Sequence, residues 1–584
     1  MHDHRKSVCD SRQTMSRRGG SEVRGKTTRR TIWSLGILVL VAMLMVFMVG
    51  CGEEEPPATT AAPATTATTA GGTDTTAPPA TETTAAPSTD TTAAPADQPV
   101  SGGVLRLIHN AGPQSVGWWS SMGPTDEGAI FPGVERTMKF APGRKLVPCL
   151  AKTVTEDPDA LTITFELEEG VLFHDGTELT AEVAKWNYDI GAANGKLQFA
   201  DSIKEFEITG PYSYVLHLNY WHNQLLQAVG WVPMLSQAAY EANGGENGGM
   251  EWCSENLVGT GPFLLKEFNR DQSLVWEKNP NYWGGEVYLD GIEVQIIPDN
   301  TTASAMMQAG QADIWQSADA QGQKEMQDMG YTLQEGWAGF QYHLMPNTMD
   351  ETGPMADQRV REAVEYALDK EAIHAAIGYG RGFPLYAVSP PGEWGGEAIA
   401  VKRAYDVEKA KALLAEAGYA DGCPITILAV AETGGRSTGA EAVKGYLDEA
   451  GFITTLDIAD AGRFYGSVFG TGWDDLALMF SGNDVVYLMS CAAWWGPTPK
   501  TNLASFKRPD DFVALFEPAL NARTEEEQIA KTEDIVRYMN EHALMIPLWQ
   551  SPATLVIQDY VHCDYPMEAG FVGWSWEKTW MGEH

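Results

Sequence analysis

The residues best suited to chemistry in this sequence are carboxylates set beside aromatic rings. Trp473-Asp474-Asp475 puts two acids next to an indole, and Asp484 follows a few residues on. A carboxylate held away from water and facing an ammonium gives both attraction and discrimination. Two carboxylates at a fixed separation could instead do acid and base work on a glycosidic bond, so a secreted carbohydrate-active hydrolase stays as the rival class. His174-Asp175 invites a metal or catalytic reading, but Asp175-Gly176 reads as a β-turn between strands. The chain holds 19 tryptophans, and Trp118, Trp119, Trp394, Trp473 and Trp495 stand in contexts that look exposed. Aromatic side chains bury much area for little rotamer entropy, which suits enclosing a ligand as well as filling a core. No catalytic residue, metal or cofactor is assigned.

These residues must work outside the cytoplasm. Arg29-Arg30 precede 18 consecutive uncharged residues, Ile32 to Val49, and the run stops at Gly50-Cys51 before three glutamates. Met48, Val49, Gly50 and Cys51 resemble the bacterial lipoprotein signal, which is cut before a cysteine that then carries the lipid. Residues 1–50 are thus expected to be a signal peptide and Cys51 a lipidation site. An uncleaved helix is the other reading, since 18 residues at about 1.5 Å each nearly cross roughly 30 Å of hydrocarbon. From Glu53 to Val100 the chain is almost wholly Thr, Ala and Pro and can bury no core, so 51–100 reads as a disordered tether. Without the leader the chain carries 31 basic against 75 acidic residues. Nucleic acid is thereby excluded as a partner, and the lipid anchor is the expected membrane contact.

Seven cysteines become five once Cys9 leaves with the leader and Cys51 is lipidated. Cys149, Cys253, Cys423, Cys491 and Cys563 lack C-x-x-C spacing, so no zinc or iron–sulfur site is implied, and an oxidising compartment makes disulfides the first reading.

The body, Ser101 to His584, exceeds one ordinary core, so two or three lobes are expected. Strand-like alternation covers Gly102–Asn110, Leu161–Leu167 and Phe206–Tyr220. Thr180 caps a helix, and a hairpin spans Phe263–Phe268 and Ser273–Lys278. A strand over Ile292–Ile297 leads to a helix ending at Gly310. Amphipathic helices cover Gln358–Gly378 and Tyr405–Tyr419, the second closed by Gly418. Strands and helices alternate, which argues α/β.

At Gly102-Gly103, GVLFHDGTELTA (Gly170–Ala181), GTGPF (Gly259–Phe263), Asn281-Tyr282-Trp283-Gly284, Asp357–Ala363 with Arg359-Val360-Arg361, the Asp406–Gly418 helix and Trp473–Leu476, the chain resembles the extracellular solute-binding proteins of ABC importers, family 5. The matches run in the family's order across nearly the entire body. The resemblance implies a two-lobed α/β fold of the periplasmic-binding-protein kind, class II with an extra inserted subdomain, closing over its ligand by a hinge. Lobe I would take 101–146, 257–345 and 544–584, the inserted subdomain 147–256, and lobe II 346–543. It further implies that Tyr342 and His343 end the crossover strand bordering the cleft, and that the five tryptophans lie in cleft-bordering segments. One of Asp474, Asp475 or Asp484 would meet a peptide amino terminus. Cys149 with Cys253, at the ends of the insertion, and Cys423 with Cys491 are the candidate disulfides. The implied function is capture of an oligopeptide or similar mid-sized solute by a monomer that hands it to ABC permease subunits. A sensory receptor of the same fold is the other alternative.

Overall fold

Two long strands, Thr332–Pro346 and Ile546–Ile557, lie antiparallel through the middle of the molecule, and the rest of the main sheet is laid down on either side of them. The computed structural model describes residues 98–117, 129–141, 145–316, 319–396, 402–431, 436–482, 486–497, 499, 502–563 and 574–583, all in one unit spanning 93–584. The leader, Cys51, the tether to residue 97, Trp118, Trp119 and Asp484 lie outside the described residues.

The strands are β1 (Val104–His109), β2 (Met138–Ala141), β3 (Lys145–Pro148), β4 (Ala151–Asp157), β5 (Thr162–Leu167), β6 (Ile203–Gly210), β7 (Ser213–Leu218), β8 (Phe263–Asn269), β9 (Ser273–Lys278), β10 (Gly291–Ile296), β11 (Ile314–Gln316), β12 (Thr332–Pro346), β13 (Phe383–Pro384), β14 (Cys423–Val430), β15 (Phe452–Ala459), β16 (Leu476–Gly482) and β17 (Ile546–Ile557). One mixed sheet runs β15-β14-β16-β12-β17-β11-β1-β10-β9-β8, with β13 pairing beside β17. The segment expected as an insertion builds a second sheet, β4-β5-β7-β6. Its inward residues Ile163, Phe165 and Leu216 join the same apolar cluster as Leu105, Leu107 and Ile292 of the main sheet, so this half has one shared core. In the other half, β14 and β16 are apolar on both faces. Leu344, Val364, Ile427 and Leu476 pack on one side, and Met345, Leu428, Met479 and Val536 on the other. Such runs are what a sheet covered on both faces by helices requires.

Local signals explain most helix ends. Thr180 caps helix Ala181–Ala193 by accepting from the Val183 amide, and Asp406 caps Val407–Glu416, whose end is followed by Gly418 at φ +97°. The single helix expected over Gln358–Gly378 is instead two, Gln358–Tyr366 and Lys370–Ile377. Asp369 accepts from the Ala372 amide and starts a new helix there. The turn lets Lys370 reach Glu365, which also meets Arg403, in a buried ionic group. Arg361 and Arg403 donate to the last carbonyls of helix Glu525–Glu541, Arg361 to His542 and Ala543 and Arg403 to Asn540 and Glu541. They thereby satisfy acceptors that the helix cannot pair internally.

The quoted motifs meet in knots of hydrogen bonds. Glu135 accepts from Thr260 of GTGPF and from Tyr282 Oη and Trp283 Nε1 of the Asn-Tyr-Trp-Gly corner, at 2.7–2.8 Å. His174 Nε2 lies 3.0 Å from Gly261 O, and Asp175 accepts from Thr177 and Ser236. His174-Asp175 is scaffold, tying the smaller sheet's segment to the Gly-rich turn. Gly259 and Gly261 are needed there because a Cβ would lie 2.2 Å from Gly133 O or 2.6 Å from Gly133 C.

The cysteine expectation is corrected. No disulfide joins Cys149 to Cys253 or Cys423 to Cys491 among the described residues. Cys149 follows β3 with its amide on Thr137 O, whereas Cys253 sits in helix Gly249–Glu255 against Gly117. Cys423 and Cys491 belong to the clusters on opposite faces of the sheet, which keeps them apart. Burial pushes the Cys149 and Cys423 thiols up to about 12 and Cys253 to about 11, so these three stay protonated and inert. Among the described residues no helix is long and apolar enough to cross a membrane.

Replacing Glu135 by Ala strands three donors around one site. We expect a loss of about 3 kcal/mol, read as a lower urea midpoint; an unchanged midpoint would show the knot to be dispensable. Burial also holds His343 down at about 3 and His109 and His222 at about 4. All three stay neutral in the fold but protonate in the unfolded chain below about pH 6.5, so their contribution is whole above that pH and is lost as pH falls toward the folded values. At pH 5 each should cost about 2 kcal/mol relative to pH 7. The urea midpoint is expected to drop between pH 7 and 5, and to drop less in His343→Gln; equal drops would refute the assignment.

Candidate functional site

Strand register singles out one place along this sheet. β12 pairs with β17 in two stretches, Thr332–Gly336 opposite Ile557–Ala553 and Phe340–Leu344 opposite Ser551–Ile546, with a break between Gly336 and Phe340. β11 starts at Ile314 opposite Ile557 and ends at Gln316 opposite Leu555, so it runs toward the break, as do β1 and β10 parallel to it. On the other side β16 runs from Leu476 opposite Pro346 to Gly482 opposite Phe340, with β14 and β15 parallel to it. The carboxyl ends of both parallel sets therefore face the same break from opposite sides. In open α/β sheets ligands bind outside the carboxyl ends of strands, where connecting loops gather.

At the break the backbones come very close. A Cβ on Gly339 would lie 1.6 Å from Ser551 O, and one on Gly382 (φ +73°) 1.8 Å from Gln550 O. Phe340 is 46% exposed and meets Phe480 edge-on at 5.3 Å between ring centres. Tyr342, two residues on and on the same face, stacks on Trp549 at 4.7 Å. Gln341, His343 and Gln550 are buried. Tyr487, at the start of helix Tyr487–Trp495, donates to Val388 O, and Ser389 donates to Trp394 O, which brings the 388–394 loop to the helix that follows β16.

The sequence-predicted residues divide accordingly. Tyr342 and His343 stand on the crossover strand, although only Tyr342 is partly open; His343 is enclosed and its imidazole stays neutral. Trp394 is half-buried in the loop beside the Tyr487 helix, and Trp495 is core at the far end of that helix. Trp473, Asp474 and Asp475 sit at the amino end of β16, about 23 Å along the strand from Gly482. They are used structurally there. Trp473 Nε1 donates to Met345 O, Asp475 accepts the Thr426 amide at 2.8 Å, and Asn347 donates to the Trp473 and Asp474 carbonyls. Desolvation raises the Asp475 carboxyl. Arg381 is engaged with Glu335 and Gln327, and Arg463 with Asp457. Among the described residues no three His, Cys, Asp or Glu side chains gather as a metal site requires.

Sequence reading missed Phe340, Phe480 and Trp549. The alternation of Phe340 and Tyr342 was visible, but their shared face became legible only with the register of β12 against β16 and β17.

Comparison with known proteins agrees with this topology. The family model of "Bacterial extracellular solute-binding proteins, family 5 Middle" matches residues 145–507. A second model, a glue protein family, matches 29–110, a stretch dominated by the Thr/Ala/Pro-rich segment. Heme-binding protein A of Haemophilus influenzae is 30% identical over 315 residues, covering 49% of this chain and 56% of its own length. Oligopeptide-binding protein AppA of Bacillus subtilis is 28% identical over 287 residues, covering 47% of this chain and 51% of its own. The chain thus spans about half the length of these relatives. The structure of the periplasmic binding protein DppA from Helicobacter pylori, in complex with peptide STSA, superimposes with a TM-score of 0.73 at 21% identity, over 83% of this chain and 99% of that one. The fold is that of a two-lobed periplasmic binding protein. The chain belongs to the bacterial extracellular solute-binding proteins, family 5.

Proposed function

We propose that the chain is a solute receptor of an ABC importer, anchored outside the cytoplasm by lipid on Cys51, that captures an oligopeptide or similar mid-sized solute and presents it to the permease subunits. The observation that carries this reading is the meeting of two sets of strand carboxyl ends at one break, beside the exposed ring of Phe340. A ligand bridging that break touches both halves of the sheet and stabilises their approach without bond chemistry. The sequence-derived boundaries of lobe I, lobe II and the inserted subdomain belong to the same proposal, with the hinge where β12 and β17 lose register. A hydrolase would need paired carboxylates at the cleft, and the adjacent pair Asp474-Asp475 lies at the remote end of β16.

Screening peptides of two to nine residues, oligosaccharides and heme by thermal shift should find a compound that raises Tm without being turned over. Reproducible turnover would sink the receptor reading. Phe340→Ala should weaken the stabilising compound at least tenfold while leaving the ligand-free Tm nearly unchanged, since the ring is half exposed. Equal binding would remove Phe340 from the site. Cys51→Ala should abolish fatty-acid incorporation and release the protein from the membrane; continued labelling would show that the lipid sits elsewhere.

A further inference from the structure

The smaller sheet's segment grips the far half of the molecule at a place well away from the break. Asn223, in the turn after β7, sends its backbone amide to Leu520 O at 2.8 Å and its side-chain amide to Ala519 O at 2.8 Å and Ala522 O at 3.1 Å. Helix Phe516–Leu520 ends there, so one asparagine supplies donors to three carbonyls at a helix end, where intrahelical partners run out. Beside it the Arg523 guanidinium lies over the Trp221 ring at 4.4 Å and pairs with Asp159 at 3.6 Å. Trp221 is fixed in turn by donating from Nε1 to Glu156 at 2.6 Å. A further contact, Gln198 Nε2 to Met489 Sδ at 3.7 Å, extends the seam toward the helix that follows β16.

We infer that Asn223 and Arg523 form a latch between the two halves that stabilises their closed arrangement, and so sets affinity for any ligand without touching it. The inference rests on the hinge-closing reading above. The two sides of the seam belong to segments separated by about 300 residues, so these contacts are made only when the halves meet. Contacts that exist in only one of two states bias the equilibrium toward that state by their own free energy, and a receptor pre-shifted toward closure binds more tightly in proportion to its closed fraction. Asn223 and Arg523 are positioning residues in this scheme.

The test uses the protein alone. Labels at Lys204→Cys and Lys531→Cys, on exposed positions of the two halves, report the inter-half distance by fluorescence transfer, with small-angle scattering as a label-free check. Asn223→Ala should lower the closed-to-open ratio about tenfold, through two lost side-chain hydrogen bonds. Arg523→Ala should lower it about threefold, through the lost ring contact. Both should leave the urea midpoint of each half in place. Should Asn223→Ala fold poorly, Arg523→Ala decides the matter alone, because its side chain is half exposed and its removal leaves no buried group unpaired. An unchanged distance distribution in the folded variants overturns the latch whatever the ligand screen finds. A widened distribution without any ligand-induced stabilisation keeps the latch and removes the transport reading.

Discussion

The structure depends on one backbone ladder. β12 and β17 are the only strands long enough to pair on both sides of the break, and through them the two half-sheets become one hydrogen-bonded surface among the described residues. Unbroken pairing would make that surface rigid. The loss of register between Gly336 and Phe340, opposite Ser551–Ala553, leaves a short stretch where few backbone bonds must be kept when the halves shift. Gly339 and Gly382 let two backbones approach the opposing strand more closely than any side chain would permit. The hinge we propose there would coincide with the convergence of the carboxyl ends of two parallel strand sets.

The quoted motifs serve this frame more than they serve a ligand. His174-Asp175, Gly259–Phe263 and Asn281–Gly284 are far apart in sequence but close on Gly133 and Glu135, where carboxylate, indole, phenol and backbone donors satisfy one another. Arg361 and Arg403 do the equivalent in the other half by taking up the carbonyls that end helix Glu525–Glu541. Buried polar groups of this kind are costly when half-paired, so each partner is specified by the others. These residues mark the fold, and they mark it strongly, because removing any one leaves several groups unsatisfied.

Legibility followed the range of the interaction. Thr180, Asp406 and Gly418 signal helix ends through contacts three or four residues long, and the structure has those ends. Asp369 carried the same signal inside an amphipathic run and was passed over because the apolar spacing continued through it. The pairing of Cys149 with Cys253 came from a topological argument about the ends of an insertion and that of Cys423 with Cys491 from a shared lobe, and neither is formed among the described residues: the last two sit in clusters on opposite faces of the sheet. The acid pair Asp474-Asp475 looked like a binding group because it stands beside an indole, yet it lies at the amino end of β16, where the Asp475 carboxylate accepts the Thr426 amide and the Asp474 backbone carbonyl accepts from Asn347.

By itself the sequence determined the alternation of strands and helices and the family, and it raised the expectation of an export signal and a core-free tether, since each rests on composition or on short periodic patterns. Tertiary structure alone decided which residues face the break. That choice depends on the register of strands more than 100 residues apart: a shift of one residue along β12 would turn Phe340 and Tyr342 to the face now held by Gln341 and His343. It also decided that Asn223 would find the carbonyls of Ala519, Leu520 and Ala522, a pairing that no local pattern encodes because only folding brings those atoms together.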